Sequence, residues 1–219
     1  MKKIITTFVV SLFLFTSNAI SADLSSLSIG LAGSKAAYYA LGEETNRNES
    51  GTIKTRTKEA GAFEDSYASV FAELAVNDIV SFGVDYVVSD IHTPTNTTND
   101  DRATPQTASA TFSDLTTIYA KINTTLWGTY LKVGHVSVDI KINENSSRSF
   151  NDTSTNGYQV GLGIEKEAVD GVSIRAEVTA TQFDDVSTDN GIATTGNRND
   201  YDVTDMIGAR GTIALVKSF

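Results

Sequence analysis

The chain has 219 residues, a formal charge of −10 and no cysteine. Such acidity argues against a nucleic-acid partner, which would favour a basic patch. The missing thiols exclude a disulfide scaffold and thiolate metal sites, so the fold must rest on packing and hydrogen bonding alone.

The first 22 residues read as an address. Met1-Lys2-Lys3 is a basic start, Ile4 to Phe15 is apolar apart from Thr6, Thr7 and Ser11, and Thr16 to Ala22 is mostly small. This is the pattern of a secretory signal peptide, cut after Ser21 or Ala22. The apolar run is shorter than the roughly 20 residues a spanning helix needs. Losing Lys2 and Lys3 would deepen the negative charge by two, and residues 23–219 suit one domain.

Beyond the leader, eight strands are expected in chain order. The first covers about Leu27 to Leu41, with a bulge or early end near Lys35, where the alternation changes phase. The second runs from Tyr67 to Val76, setting Ala68, Val70, Ala72, Leu74 and Val76 against Glu73. Asn77-Asp78 then turns the chain. In the third, Val80, Phe82, Val84, Tyr86 and Val88 alternate with Ser81, Gly83 and Asp85. The fourth, about Leu115 to Leu126, sets Ile118, Ala120 and Ile122 against Tyr119 and Lys121, and turns at Trp127-Gly128. The fifth sets Val136, Val138, Ile140 and Ile142 against His135, Ser137, Asp139 and Lys141, with no register assigned before Gly134. The sixth sets Tyr158, Val160, Leu162 and Ile164 against Gln159 and Glu165. Asp170-Gly171 is a hairpin signal. The seventh sets Val172, Ile174, Ala176 and Val178 against Arg175 and Glu177. The last, Met206 to Phe219, has Ile207, Ala209, Gly211, Ile213, Leu215, Lys217 and Phe219 on one face and Arg210 on the other.

Short turns alternate with long polar segments, at about 42–65, 92–114, 143–157 and 184–205, which read as loops. Both prolines, Pro94 and Pro105, fall in the second of these, where they spare the ladders. Three short turns at one end and four long loops at the other is how transmembrane barrels are arranged.

The two faces separate the remaining options. An apolar face turned inward would make a lipocalin-like cup for an apolar ligand. The polar face, however, carries Glu73, Asp85, Asp139, Glu165 and Glu177 with Lys121, Lys141, Arg175 and Arg210, spread over the strands. That balance suits a narrow interior filled by ion pairs, with the alanines, valines, isoleucines and leucines facing lipid. His135, beside Asp139, is expected in the same lumen as a hydrogen-bonded filler. Tyr67, Tyr86, Tyr158 and Phe183 fall at strand ends beside long loops, and Trp127, Tyr130 and Phe219 at ends beside short turns. They are expected to form the two interfacial belts of a membrane barrel.

Leader, strand count, turn rhythm and terminal phenylalanine together resemble the small outer-membrane barrels of Gram-negative bacteria: the OmpA transmembrane domain, OmpX and the opacity-protein group. The resemblance covers residues 23–219 in architecture. It implies an all-β, closed eight-stranded antiparallel up-and-down transmembrane β-barrel in the cell outer membrane. It also implies lipid and lipopolysaccharide as surroundings, and folding by the outer-membrane assembly machinery, which reads the last strand. Phe219, Leu215 and Ile213 match that strand's outward apolar pattern. Lys217 departs from it, and is expected to snorkel to the periplasmic interface.

Chemistry is sparse. His92 lies near Ser89 and Asp90, but the spacing matches no hydrolase signature. Asp200, Asp202 and Asp205 are oxygen donors without an ordered cation-loop pattern. No catalytic residue, cofactor or metal is expected. The function expected is that of a monomeric structural or surface-interaction protein with a largely closed, ion-paired lumen. The alternative is a small porin-like channel for ions or small solutes.

Overall fold

The computed structural model describes residues 26–98, 106–145, 150–190 and 198–219. The leader and Pro105 lie outside the described residues. No helix among the described residues is long and apolar enough to cross a membrane, which says nothing of a β-barrel. The described residues are strand nearly throughout: β1 (Leu27–Arg47), β2 (Ile53–Ala75), β3 (Val80–Val87), β4 (Ile91–His92), β5 (Asn96–Thr98), β6 (Gln106–Asn123), β7 (Thr129–Glu144), β8 (Thr153–Val169), β9 (Val172–Phe183), β10 (Val186–Asp189) and β11 (Arg198–Ser218).

Eight long strands pair antiparallel in the order β1-β2-β3-β6-β7-β8-β9-β11, and β11 pairs back with β1. That last pairing runs from Ser28↔Ser218 to Arg47↔Arg198, making the sheet an eight-stranded ring. Directly opposed residues trace its stagger. A path from Ile29 passes Ala72, Val84, Ile118, His135, Tyr158, Gln182 and Ile207, and re-enters β1 at Tyr39, ten residues from its start. For eight strands, such a stagger corresponds to a strand tilt of about 40°.

The three short turns fall where expected. Asn77 closes the first, its Oδ1 accepting the Ile79 and Val80 amides at 2.9 and 2.8 Å. Trp127 and Gly128 take left-handed conformations in the second, as Gly171 does in the third. Gly128 is required by packing as well, because a Cβ there would sit 2.3 Å from the Glu165 carbonyl oxygen.

The opposite end departs from expectation. The described parts of the segments read as long loops are largely sheet: β1 spans 21 residues and β2 spans 23, meeting at a tight turn closed by Asn48 and Gly51. Composition misled here because these stretches are polar on both faces. Their threonines favour strands, and Glu43 bridges across to Arg56 and Lys58 at 2.8 and 2.9 Å. The break expected at Lys35 is also absent. Lys35 continues the strand on the outward face and pairs with Glu64 at 2.7 Å. The register instead shifts between Tyr39 and Leu41, near Asp205, whose φ of 52° bends the partner strand.

Inward and outward faces differ sharply. Outward, Leu31, Val160, Leu162, Val178, Ile213 and Leu215 are each about three-fifths exposed. Inward, the half of the ring near the short turns is polar. The half toward the strand tips holds the main apolar cluster, which includes Val87, Ile91, Leu115, Val136, Val138, Ile140, Phe183 and Met206.

Candidate functional site

The polar half of the lumen is built from alternate residues of seven strands. Glu73 comes from β2, Lys121 from β6, Lys132 from β7, Glu165 from β8, and Arg175 and Glu177 from β9. Glu73 is its hub. Its Oε1 accepts from Arg175 Nη1 at 2.6 Å and from the Tyr119 hydroxyl at 2.7 Å. Its Oε2 accepts from Arg175 Nη2 and from Lys121 Nζ, both at 2.7 Å. Glu165 Oε2 accepts from Arg175 Nε and Nη2 at 3.0 and 2.7 Å, and from Lys121 at 3.2 Å. A second cluster sits beside it. Glu177 accepts from Lys132 at 3.0 Å and from the Tyr130 hydroxyl at 2.8 Å. Arg210 of β11 bonds to Asp85 of β3 at 3.2 Å and lies 3.6 Å from Glu177.

Aromatic rings fill the space between the charges. Lys132 Nζ lies 4.0 Å from the Tyr119 ring centroid, and the Arg175 guanidinium lies 4.6 Å from that of Phe71. Four carboxylates thus face four cations, most of them almost fully buried. Removing water from charges is costly, and pairing with satisfied hydrogen bonds offsets that cost. A local alternation is what makes this possible: charged, polar and aromatic residues point in where aliphatic ones point out.

Of the residues expected in the lumen, Glu73, Asp85, Lys121, Glu165, Arg175, Glu177 and Arg210 meet there, whereas His135 and Asp139 do not. Both lie on the outward face of β7, and the His135 ring packs edge-on against Tyr158 at 5.6 Å. The reason lies in the phase of β7, which is unbroken from Tyr130 to Ile140. Leu131 and Val133 point out, so Lys132, Val136, Val138 and Ile140 point in. Reading Val136 and Val138 as outward because they are apolar inverted the strand. It concealed Lys132, and left Lys141, also outward, in its place.

The aromatic residues divide similarly. Trp127, Tyr158 and Phe219 are 82%, 70% and 54% exposed, and Tyr86 is outward, with its hydroxyl donating to Asp114 at 2.7 Å. Tyr67, Tyr130 and Phe183 point inward instead and are buried. Each shares a face with residues of the lumen: Tyr67 with Glu73, Tyr130 with Lys132, and Phe183 with Glu177. Strand-end position suggested a belt for them, but period-2 alternation decides the side.

The other candidates are occupied locally. His92 contacts Thr111 through Nδ1 at 3.3 Å. Asp200 accepts from Arg47 and Arg198 at 2.8 and 2.5 Å, and Asp202 accepts from Ser187. Among the described residues, no group of three or more acidic or histidine side chains is arranged to hold a metal ion.

Above the charged layer lies a cavity of about 690 Å³. It starts at Leu115, Phe183 and Met206 and extends to Glu44, Glu59 and Glu144 near the strand tips. At its base the Tyr38 and Tyr67 hydroxyls are hydrogen-bonded at 3.1 Å. Val138, Ile140 and Ile142 of β7 were its signal in the sequence, read onto the wrong face.

No protein-family profile matches the chain, and no curated protein matches its sequence. Solved structures do match. The outer-membrane protease OmpT of Escherichia coli is similar at 6% identity over 92% of this chain and 99% of that one, with a TM-score of 0.49. Neisserial surface protein A is similar at 12% identity over 84% and 97%, with a TM-score of 0.37. The outer-membrane protein OprG of Pseudomonas aeruginosa is similar at 11% identity over 88% and 95%, with a TM-score of 0.57. The fold of this chain is that of the small bacterial outer-membrane β-barrels.

Proposed function

We propose that the chain is a closed transmembrane barrel of the cell outer membrane. In this reading it is a monomer that serves as a structural and surface-interaction protein rather than as an enzyme. The leader exports it, the assembly machinery recognises β11, and outer-membrane lipid and lipopolysaccharide surround the outward apolar face. The sheet-extended tips then stand outside the membrane, where their polar faces are solvated. Lys217, its ammonium 6.0 Å from the Phe219 ring centroid, snorkels to the periplasmic interface in this reading.

The observation that carries a sealed rather than a conducting lumen is the mutual pairing around Glu73. An eight-stranded ring has a bore just wide enough for side chains to fill. Here Glu73, Lys121, Arg175 and Glu165 bridge it from four strands at 2.6 to 3.2 Å. A porin-like channel would require these bonds to open together. Planar-bilayer recordings of the refolded protein test this. The expected result is no conductance above leak, and stable single-channel steps would overturn the sealed reading in favour of the channel.

A further inference from the structure

The apolar inner surface near the strand tips has no role in sealing the bore, which the charged layer already does. We infer that the cavity above the Tyr38–Tyr67 hydroxyl pair is a binding site for an uncharged, flat, hydrophobic small molecule that enters from the strand tips.

Four observations support it. First, the lumen changes character along its axis. Below, Glu73, Arg175 and their partners point in; above, Val138 and Ile140 do, at 2% and 7% exposure. Phe63, Phe112 and Val203, packed against these and only partly buried, still face water, and an apolar ligand covering them recovers about 25 cal/mol per Å². Second, the volume of about 690 Å³ falls within the ordinary range of small-molecule sites. Third, one wall is a row of rings. Tyr38 stacks on Phe63 at 5.0 Å and Phe63 on Phe112 at 6.0 Å, while β7 supplies the aliphatic residues. A row of rings offers a further planar ring stacked or edge-to-face contacts. Fourth, Glu44, Glu59 and Glu144 line the mouth, and no lysine or arginine lines the cavity among the described residues. The nearby cations are engaged elsewhere, Arg56 and Lys58 by Glu43 and Arg47 by Asp200. An anionic amphiphile would meet like charge at entry and no counter-charge among the described lining residues. The floor is closed, so the ligand is held at this depth and does not pass down the bore.

The test is a methyl-resolved NMR titration of the full chain in lipid nanodiscs, with naphthalene as the neutral probe and naphthalene-2-sulfonate as its charged counterpart. Saturable shifts are expected at the Ile91, Val138 and Ile140 methyls. The outward Val160 and Leu162 methyls should shift only weakly and in proportion to added probe. The sulfonate should bind at least tenfold more weakly, and Glu59→Gln with Glu144→Gln should narrow that gap. Ala110→Phe, which fills the cavity, should abolish the saturable shifts. Should that variant not fold, the inward-outward contrast in the unaltered protein still decides. Equal, non-saturating shifts on both faces would mean simple partitioning into lipid and would overturn the site. Equal affinity for the sulfonate would overturn its preference for uncharged ligands.

Discussion

Glu73 receives four hydrogen bonds from three side chains, all at 2.6 to 2.7 Å. An isolated carboxylate at 3% exposure would be untenable, so its charge depends on Arg175 and Lys121. Replacing Arg175 alone leaves Glu73 and Glu165 with only Lys121 between them. Arg175→Met should therefore destabilise the ring by about 3–5 kcal/mol, the usual cost of leaving one member of a buried pair behind. Combining it with Glu73→Gln should recover more than half of that loss, because an amide tolerates burial better than an orphaned charge. Urea unfolding in lipid vesicles, followed by heat-modifiable gel migration, measures both; strictly additive losses would mean that the two groups are not coupled. Arg210 donates to Asp85 at 3.2 Å and lies 3.6 Å from Glu177, and its Nε has no partner. Arg210→Ala should likewise loosen the bore, because it leaves the buried Asp85 carboxylate without its hydrogen-bond donor.

Strands β7 and β8 show how backbone and ring cooperate. Tyr130 of β7 lies flat over Gly163 of β8, where an added Cβ would sit 2.2 Å from the ring. That close approach lets the Tyr130 hydroxyl reach Glu177 at 2.8 Å. Gly163→Val should push the ring off its carboxylate and cost about 1–3 kcal/mol, as overpacking does. The outward Ala176→Val, on the adjacent strand, should be nearly neutral by the same unfolding assay; equal losses would show that the glycine's packing is incidental. These strands also show what the sequence made legible. Turns at Asn77, Trp127-Gly128 and Asp170-Gly171 announce themselves because left-handed backbone and side-chain capping demand particular residues. Faces follow from alternation wherever one side is apolar over the whole strand, as in β3 and β9. In β7 the inward face changes from Tyr130 and Lys132 to Val136 and Val138, so polarity ceases to report the side. Only the unbroken period from Leu131 and Val133 identifies it, and following that period would have found Lys132 and excluded His135.

On the scale of the whole molecule, two charge systems of opposite exposure share one sheet. One is closed inside the ring near the short turns. The other stands at the strand tips, where β1, β10 and β11 meet through Asp200, Arg47 and Arg198. Burial works against the Asp200 carboxylate, yet hydrogen bonds from Arg47 and Arg198 hold its pKa below the ordinary value of 3.8. A carboxylate whose folded pKa is depressed contributes its full stability above the unfolded value, and loses that contribution as pH falls through the folded one. Acidification below about pH 4 should therefore loosen the tips of the β1–β11 seam. The lower seam, where Ala32 faces Ala214 and both are buried, carries no such dependence. Amide-exchange protection factors at Thr45 and Asn199 should fall between pH 5 and pH 3, while those at Ala32 and Ala214 hold. Asp200→Asn should lower protection at the tips at neutral pH and flatten its pH profile. A uniform loss along the seam would instead make the ring a single cooperative unit, with the tips inseparable from the belt below. If the tips do loosen alone, the mouth of the apolar cavity, which Glu44 and Tyr201 of the same seam line, can open and close without disturbing the charged layer beneath it.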